Sequence, residues 1–202
     1  MKINTASTLV AEPLFPKFTL TGKLEITDQH VDQILTEIQQ MSLHKYNWGL
    51  SGWNEDNYET WNMTPVIQKF AHLILHQVYD GVVNHYNLDT TGTSFIIDGK
   101  RFTLDVRRCF PLILNDRHDY PYNLHPSAFI SITWLKASPD GHKVYCRNAV
   151  KGPLDNNMRY WLPQPKQNII LPGSQQWGIS SGTDDSRNVA LVTHIKMVPA
   201  KF

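Results

Sequence analysis

Hydrophobic periodicity changes once along this chain, near Asn87, and that change bounds the possible folds more tightly than any other feature of the sequence. Before it, apolar residues recur at helical spacing. Over 27–41 a capping threonine, Thr27, precedes Val31, Ile34, Leu35 and Ile38, which share one face at about 3.6 residues per turn. A second helix is expected to open at Thr64, with Pro65 in its first turn and an apolar stripe of Val66, Ile67, Phe70, Leu73, Ile74 and Val78. Its expected end is near Gly81 or Asn84. Between the helices, 46–61 is dense in aromatic and turn residues and reads as a structured loop.

After Asn87 the pattern is that of strands. Asp98-Gly99 favours the positive φ angles of a tight primed turn, so 94–97 and 101–106 are expected to form a hairpin. Further strands are expected over 110–114, 128–135, 142–146, 168–171 and 189–197, punctuated by Pro139-Asp140-Gly141 and Pro172-Gly173. No internal repeat or linker interrupts the chain, and 202 residues at 41% hydrophobic content suffice for one core, so 1–202 reads as a single domain. The expected fold class is α+β, mainly β: a sandwich or jelly roll with the two N-terminal helices packed outside.

Charge excludes some partners. Nineteen Lys and Arg against eighteen Asp and Glu give a net charge of +1, and no block of like charges appears, so nucleic acid is not an expected partner. Residues 1–15 lack the apolar stretch of a signal peptide and no segment is long enough to span a bilayer, so the expected location is cytoplasmic, with no membrane partner. Cys109 and Cys146 both fall in strand-like segments and read as buried thiols rather than a disulfide.

Of the nine histidines, His72 and His76 are four apart on the second helix, but Leu73 follows His72 where a zinc-protease motif has glutamate, so the pair reads as solvated. His118, near Asp116 and Asp119, sits in a polar, turn-rich stretch. His125 differs. It stands just before a strand, in Tyr122-Asn123-Leu124-His125-Pro126-Ser127, and Ser131, Trp134 and Leu135 follow. Later come Ile169-Ile170-Leu171-Pro172-Gly173-Ser174 and an arginine, Arg187, opening the last strand.

From about Phe15 to Met197 this order resembles the 2-oxoglutarate/Fe(II) oxygenase family whose members carry an HxHPxxxxSGxYY-like and a later FPxWxxH-like segment. The resemblance implies a double-stranded β-helix, or jelly roll. In such enzymes two histidines and a third side chain hold Fe(II), and an arginine on a late strand pairs with the far carboxylate of 2-oxoglutarate. Carried over, the metal positions fall on Asn123 and His125, the later histidine on or beside Trp177, and the cosubstrate arginine on Arg187. Asn123 offers a neutral amide and Trp177 has no lone pair for a metal, because its indole nitrogen only donates. The small polar residue often two places after the arginine is here Val189.

The reading that follows is an oxygenase-fold protein with a degenerate iron site, needing no cofactor and acting as a binding or assembly module for protein partners. The resemblance extends to tailed bacterial viruses, so a virion component is one setting it implies. Trp177, expected in a loop after Ser174-Gln175-Gln176, would fill the vacated metal pocket or anchor a partner. The alternative is an active hydroxylase using Fe(II) and 2-oxoglutarate, with His125, Arg187 and a second ligand drawn from His118, His194, Asp116 or Asp119. A third reading is a carbohydrate- or peptide-binding jelly roll that uses exposed aromatics without metal.

Overall fold

The computed structural model describes residues 10–14, 17–43, 64–114, 120–123, 127–138, 140–147, 158–180, 182 and 188–200. The aromatic loop 46–61, His118, His125 and Arg187 lie outside the described residues.

Both helices form where the apolar period places them. Helix α1 (Asp28–Leu43) starts at Thr27, whose hydroxyl accepts a hydrogen bond from the His30 amide at 3.3 Å, and it buries Val31, Ile34 and Ile38. In helix α2 (Pro65–Tyr86) the Ile67 amide donates to the Thr64 hydroxyl at 3.2 Å. This helix does not stop at Gly81 or Asn84. It runs on to Asn87, which takes the left-handed conformation at φ 49°. Gly81 and Val82 are both buried, and a mid-helix glycine costs about 1 kcal/mol, less than the roughly 1.5–3 kcal/mol gained by burying a valine side chain.

Twelve strands among the described residues form two antiparallel sheets. The larger has the order β1 (Val10–Leu14), β2 (Lys17–Lys23), β10 (Gln167–Pro172), β7 (Phe129–Lys136), β12 (Asn188–Pro199), β5 (Lys100–Leu114), β4 (Ser94–Ile97), β3 (Thr90–Thr91). The smaller runs β6 (Tyr120–Asn123), β11 (Gln176–Ser180), β8 (Lys143–Arg147), β9 (Met158–Trp161). From β5 onward the chain passes back and forth between the sheets, which closes them over a shared interior. The expected hairpin is present as β4 and β5, with Asp98 at φ 50° and Gly99 at φ 72°. Segments 101–106 and 110–114, read separately from sequence, are one continuous strand.

Each face of the large sheet has its own core. On the outer face Leu104, Val106, Cys109, Ile113, Leu135, Ile170, Val189, Leu191 and Ile195 pack against the helices. On the inner face Phe110, Leu112, Leu114, Ile130, Ile132, Trp134, Ile169, Leu171, Ala190 and Val192 meet Val144, Cys146, Trp161, Trp177 and Ile179 of the small sheet. Along β5 the outward positions switch from even (104, 106) to odd (109, 113), because a β-bulge inserts a residue: His194 of β12 pairs with Arg108 while Ile195 pairs with Val106. Among the described residues no helix is long and apolar enough to cross a membrane.

Candidate functional site

The antiparallel registers define the two ends of the barrel. β6 finishes, β7 and β11 begin, and β10 finishes at one of them, so Asn123, Ser127 and Trp177 gather there. We call this end the mouth. In register, Asn123 of β6 pairs with Trp177 of β11, Trp177 with Cys146 of β8, and Cys146 with Arg159 of β9, making one row across the small sheet. The structure thus brings together two sequence-predicted positions, Asn123 and Trp177, at the level of the backbone, just before the chain reaches His125.

Trp177 does not lie in a loop. It occupies β11 on the same face as Ile179, and it is 0% exposed within the inner core. Its polar approach, Ser174-Gln175-Gln176, forms the turn and first strand residue; Gly173 sits so close that an added Cβ would run into the Ser127 carbonyl. The Gly173 amide also donates to the Ala128 carbonyl at 2.9 Å, which fixes the start of β7 against this turn.

Cys146, beside Trp177, is also buried, and burial pushes its thiol pKa upward despite the nearby Arg159 guanidinium. Burial pushes Cys109, on the other side of the large sheet, up to about 12, a Thr193 hydroxyl at 3.3 Å opposing this weakly. Both cysteines are buried and neither is in a disulfide, as the sequence reading expected. A thiolate-directed reagent at pH 8 is expected to label neither while the chain is folded and both after denaturation. For Cys109 the thiolate population falls about a thousandfold below that of an ordinary thiol. Rapid labelling of either thiol in the native protein would contradict this placement.

The large sheet contributes His194 to the mouth. It lies on the inner face of β12 beyond Val192, is 1% exposed, has its Nδ1 3.3 Å from the Ser127 hydroxyl, and lies tilted against the Phe110 ring with the centroids 5.6 Å apart. His72 and His76 are exposed on α2. Among the described residues no group of three His, Cys, Asp or Glu side chains is placed to hold a metal ion.

At the far end of the barrel Asn188, the residue after Arg187, opens β12, six residues along the strand from His194 and so about 20 Å away. The Asn188 side chain accepts from the Ser138 amide at 2.8 Å and donates to His142 Nδ1 at 3.2 Å, with Asn188 and His142 both 0% exposed.

Three charged residues that sequence reading passed over also reach the mouth. The β5 bulge sets Arg107 and Arg108 together opposite His194, and since Val106 and Cys109 on either side belong to the outer core, both arginines lie on the inner face. Arg159 lies in the Trp177 row, its guanidinium 5.4 Å from the centre of the Trp161 ring. Only the register of β5 against β12 could have revealed the first two.

No protein-family model matches the sequence, and no curated protein does. Among solved structures the chain is similar to HygX of Streptomyces hygroscopicus, solved with iron bound, at 8% identity over 91% of this chain and 83% of that one, with a TM-score of 0.58. It is similar to a Pseudomonas putida prolyl-4-hydroxylase at 7% identity over 88% and 87%, with a TM-score of 0.56. SnoN, a non-heme α-ketoglutarate-dependent epimerase from nogalamycin biosynthesis, matches at 7% identity over 91% and 81%, with a TM-score of 0.60. At such identities the likeness is one of backbone architecture. Strand order, the two packed sheets and these neighbours agree that the chain has the jelly-roll fold of the 2-oxoglutarate/Fe(II) oxygenases.

Proposed function

We propose that this chain is an oxygenase-fold binding or assembly module in which packing has replaced iron at the mouth of the barrel. The observation that carries the reading is Trp177: it stands in register with Asn123, on or beside the position the resemblance gives to the later histidine, and its indole is 0% exposed in the inner core. An indole N–H donates and has no lone pair for a metal, and the Asn123 amide is a neutral, weak donor of electron pairs. With His125 as the one strong donor of the set, Fe(II) is not retained. Of the two roles open to Trp177, burial favours filling the pocket over anchoring a partner. The partners are proteins, within a larger assembly such as a virion. HygX has been solved with nickel and 2-oxoglutarate, and SnoN with Fe3+ and α-ketoglutarate, so those groups are the ones to test here.

A second reading, an active hydroxylase, draws on His194, whose imidazole is buried at the same end beside Ser127, two residues after His125. In that account His125 and His194 supply the imidazoles and Arg187 binds the cosubstrate.

Anaerobic addition of Fe(II) and 2-oxoglutarate separates the two. The module reading expects no visible metal-to-ligand charge-transfer band and no iron retained after desalting. A band with stoichiometric iron overturns it, and loss of that band in His194→Ala would install the hydroxylase in its place.

A further inference from the structure

Three of the five large apolar side chains that stand exposed among the described residues are neighbours in the sequence: Met158 at 36%, Tyr160 at 50% and Leu162 at 57%. Met158 and Tyr160 belong to β9, and Leu162 follows its last residue, Trp161, which is buried in the inner core. Side chains two apart along an extended chain share a face, so the three form one stripe on the outside of the small sheet. The Tyr160 hydroxyl donates to Met158 Sδ at 3.6 Å, and its ring lies 5.9 Å from that of Tyr145 on β8, which holds the middle of the stripe against the sheet. β9 is also the margin of that sheet, paired with β8 on one side and with no described strand on the other. A single exposed apolar residue is ordinary, but here an apolar stripe runs along a margin that can take another strand.

The sequence of β9 suits a second copy of itself, because antiparallel pairing about a two-fold axis makes a workable register. Centred on Tyr160, it sets Tyr160 against Tyr160, Met158 of one copy against Leu162 of the other, and Arg159 against Trp161. The apolar stripes then join on one face. On the other face each Arg159, whose guanidinium already lies 5.4 Å from the centre of its own Trp161 ring, meets the second copy's Trp161 rather than a like charge. Moving the axis one residue back sets Arg159 against Arg159, a repulsive pair. Moving it one residue forward brings Pro163, which has no N–H, into the ladder opposite Arg159. A net charge of +1 adds little long-range repulsion between copies.

We propose that β9 is a self-association edge, through which two copies of this chain pair antiparallel about an axis at Tyr160 and join their small sheets into one continuous sheet. Backbone hydrogen bonds across the axis and burial of the Met158, Tyr160 and Leu162 stripe supply the attraction. β9 has four residues, well short of the roughly 20–30 a side of a standard interface, so the dimer is a weak one, with a Kd of about 10–100 μM. The pairing uses no metal position and goes beyond the module reading, since a module and an enzyme could both associate this way.

The test is sedimentation of the full chain in the analytical ultracentrifuge from about 5 to about 500 μM, across which a dimer of this affinity is expected to fill. Tyr160→Asp sets two carboxylates against each other at the axis and should weaken association at least about tenfold. Tyr160→Phe keeps the ring and should stay within about twofold of the parent, and Tyr86→Asp, at an exposed aromatic residue away from the strand, should change nothing. Circular dichroism of each variant verifies that it is folded. Register is tested with the Met158→Cys/Leu162→Cys variant, which should form a covalent dimer on mild oxidation. Within one chain those positions are about 13 Å apart, too far to bridge, and the native cysteines are buried. Sedimentation as a monomer at the highest concentration overturns the proposal. So does a dimer that Tyr160→Asp leaves intact, which would place the contact elsewhere, or one that the paired cysteines do not trap. No metal enters the assay, so its failure and that of the iron titration are distinguishable.

Discussion

Replacing Trp177 with alanine is expected to lower the free energy of unfolding by about 3–5 kcal/mol, the range for truncating a large, fully buried aromatic side chain. The indole is 0% exposed and packs in the inner core with Cys146 and Ile179 beside it on the small sheet and the inner residues of the large sheet across from it. Removing it forfeits both the transfer of that surface from water and the contacts that the surrounding side chains cannot recover by collapsing. Trp177→Phe keeps a ring and should lose much less. Urea denaturation followed by circular dichroism measures both. A loss below about 1 kcal/mol for the alanine variant would mean that the indole is not packed as described, and it would remove the main support for the module reading.

The second large effect is expected on the other side of the large sheet. Asn168, on β10, is 0% exposed and joins helix α2 to β7: its amide nitrogen donates to Gln77 Oε1 at 2.7 Å, while its oxygen accepts from the Ser131 hydroxyl at 2.6 Å and the Thr133 hydroxyl at 3.1 Å. Gln77, Ser131 and Thr133 are themselves buried. Asn168→Leu keeps the branched outline with a bulkier, apolar tip and removes the shared partner of these three groups among the outer core residues, at a penalty of about 1–3 kcal/mol each, so a loss of roughly 3–5 kcal/mol is expected after the hydroxyls find other acceptors. Replacing all four residues together with apolar ones should recover much of that loss, since no polar group is then left behind. A double-mutant cycle between Gln77 and Asn168 is the sharper measurement. Coupling of about 0.5–3 kcal/mol is expected, and strict additivity would show that the bond contributes nothing to docking the helix.

The local elements of this fold were written within short windows. Thr64 followed by Pro65, the apolar stripe of α2, and Asp98-Gly99 at the hairpin each act over three or four residues, and the corresponding elements form where those signals stand. The end of α2 was less legible, because Gly81 looks like a stop to a local reading while its burial against neighbouring elements favours continuing. Of the candidate site the sequence offered positions alone: the resemblance names Asn123 and a place on or beside Trp177, and the strand register pairs those two backbones.

What the sequence by itself determined is the two-helix start, the strand-rich remainder, the tight hairpin and a class of sandwich or jelly roll, because these follow from periodicity, capping and turn chemistry along a few consecutive residues. Only the tertiary structure decided that a tryptophan in a polar stretch is a core strand residue, and that two consecutive arginines turn to the inside of the barrel. Both depend on pairings between distant parts of the chain, such as Cys109 with Thr193 across 84 residues, and on a single bulge that shifts every later side chain of β5 to the opposite face. No local window contains the partner strand, so none contains the register that assigns a side chain to core or mouth.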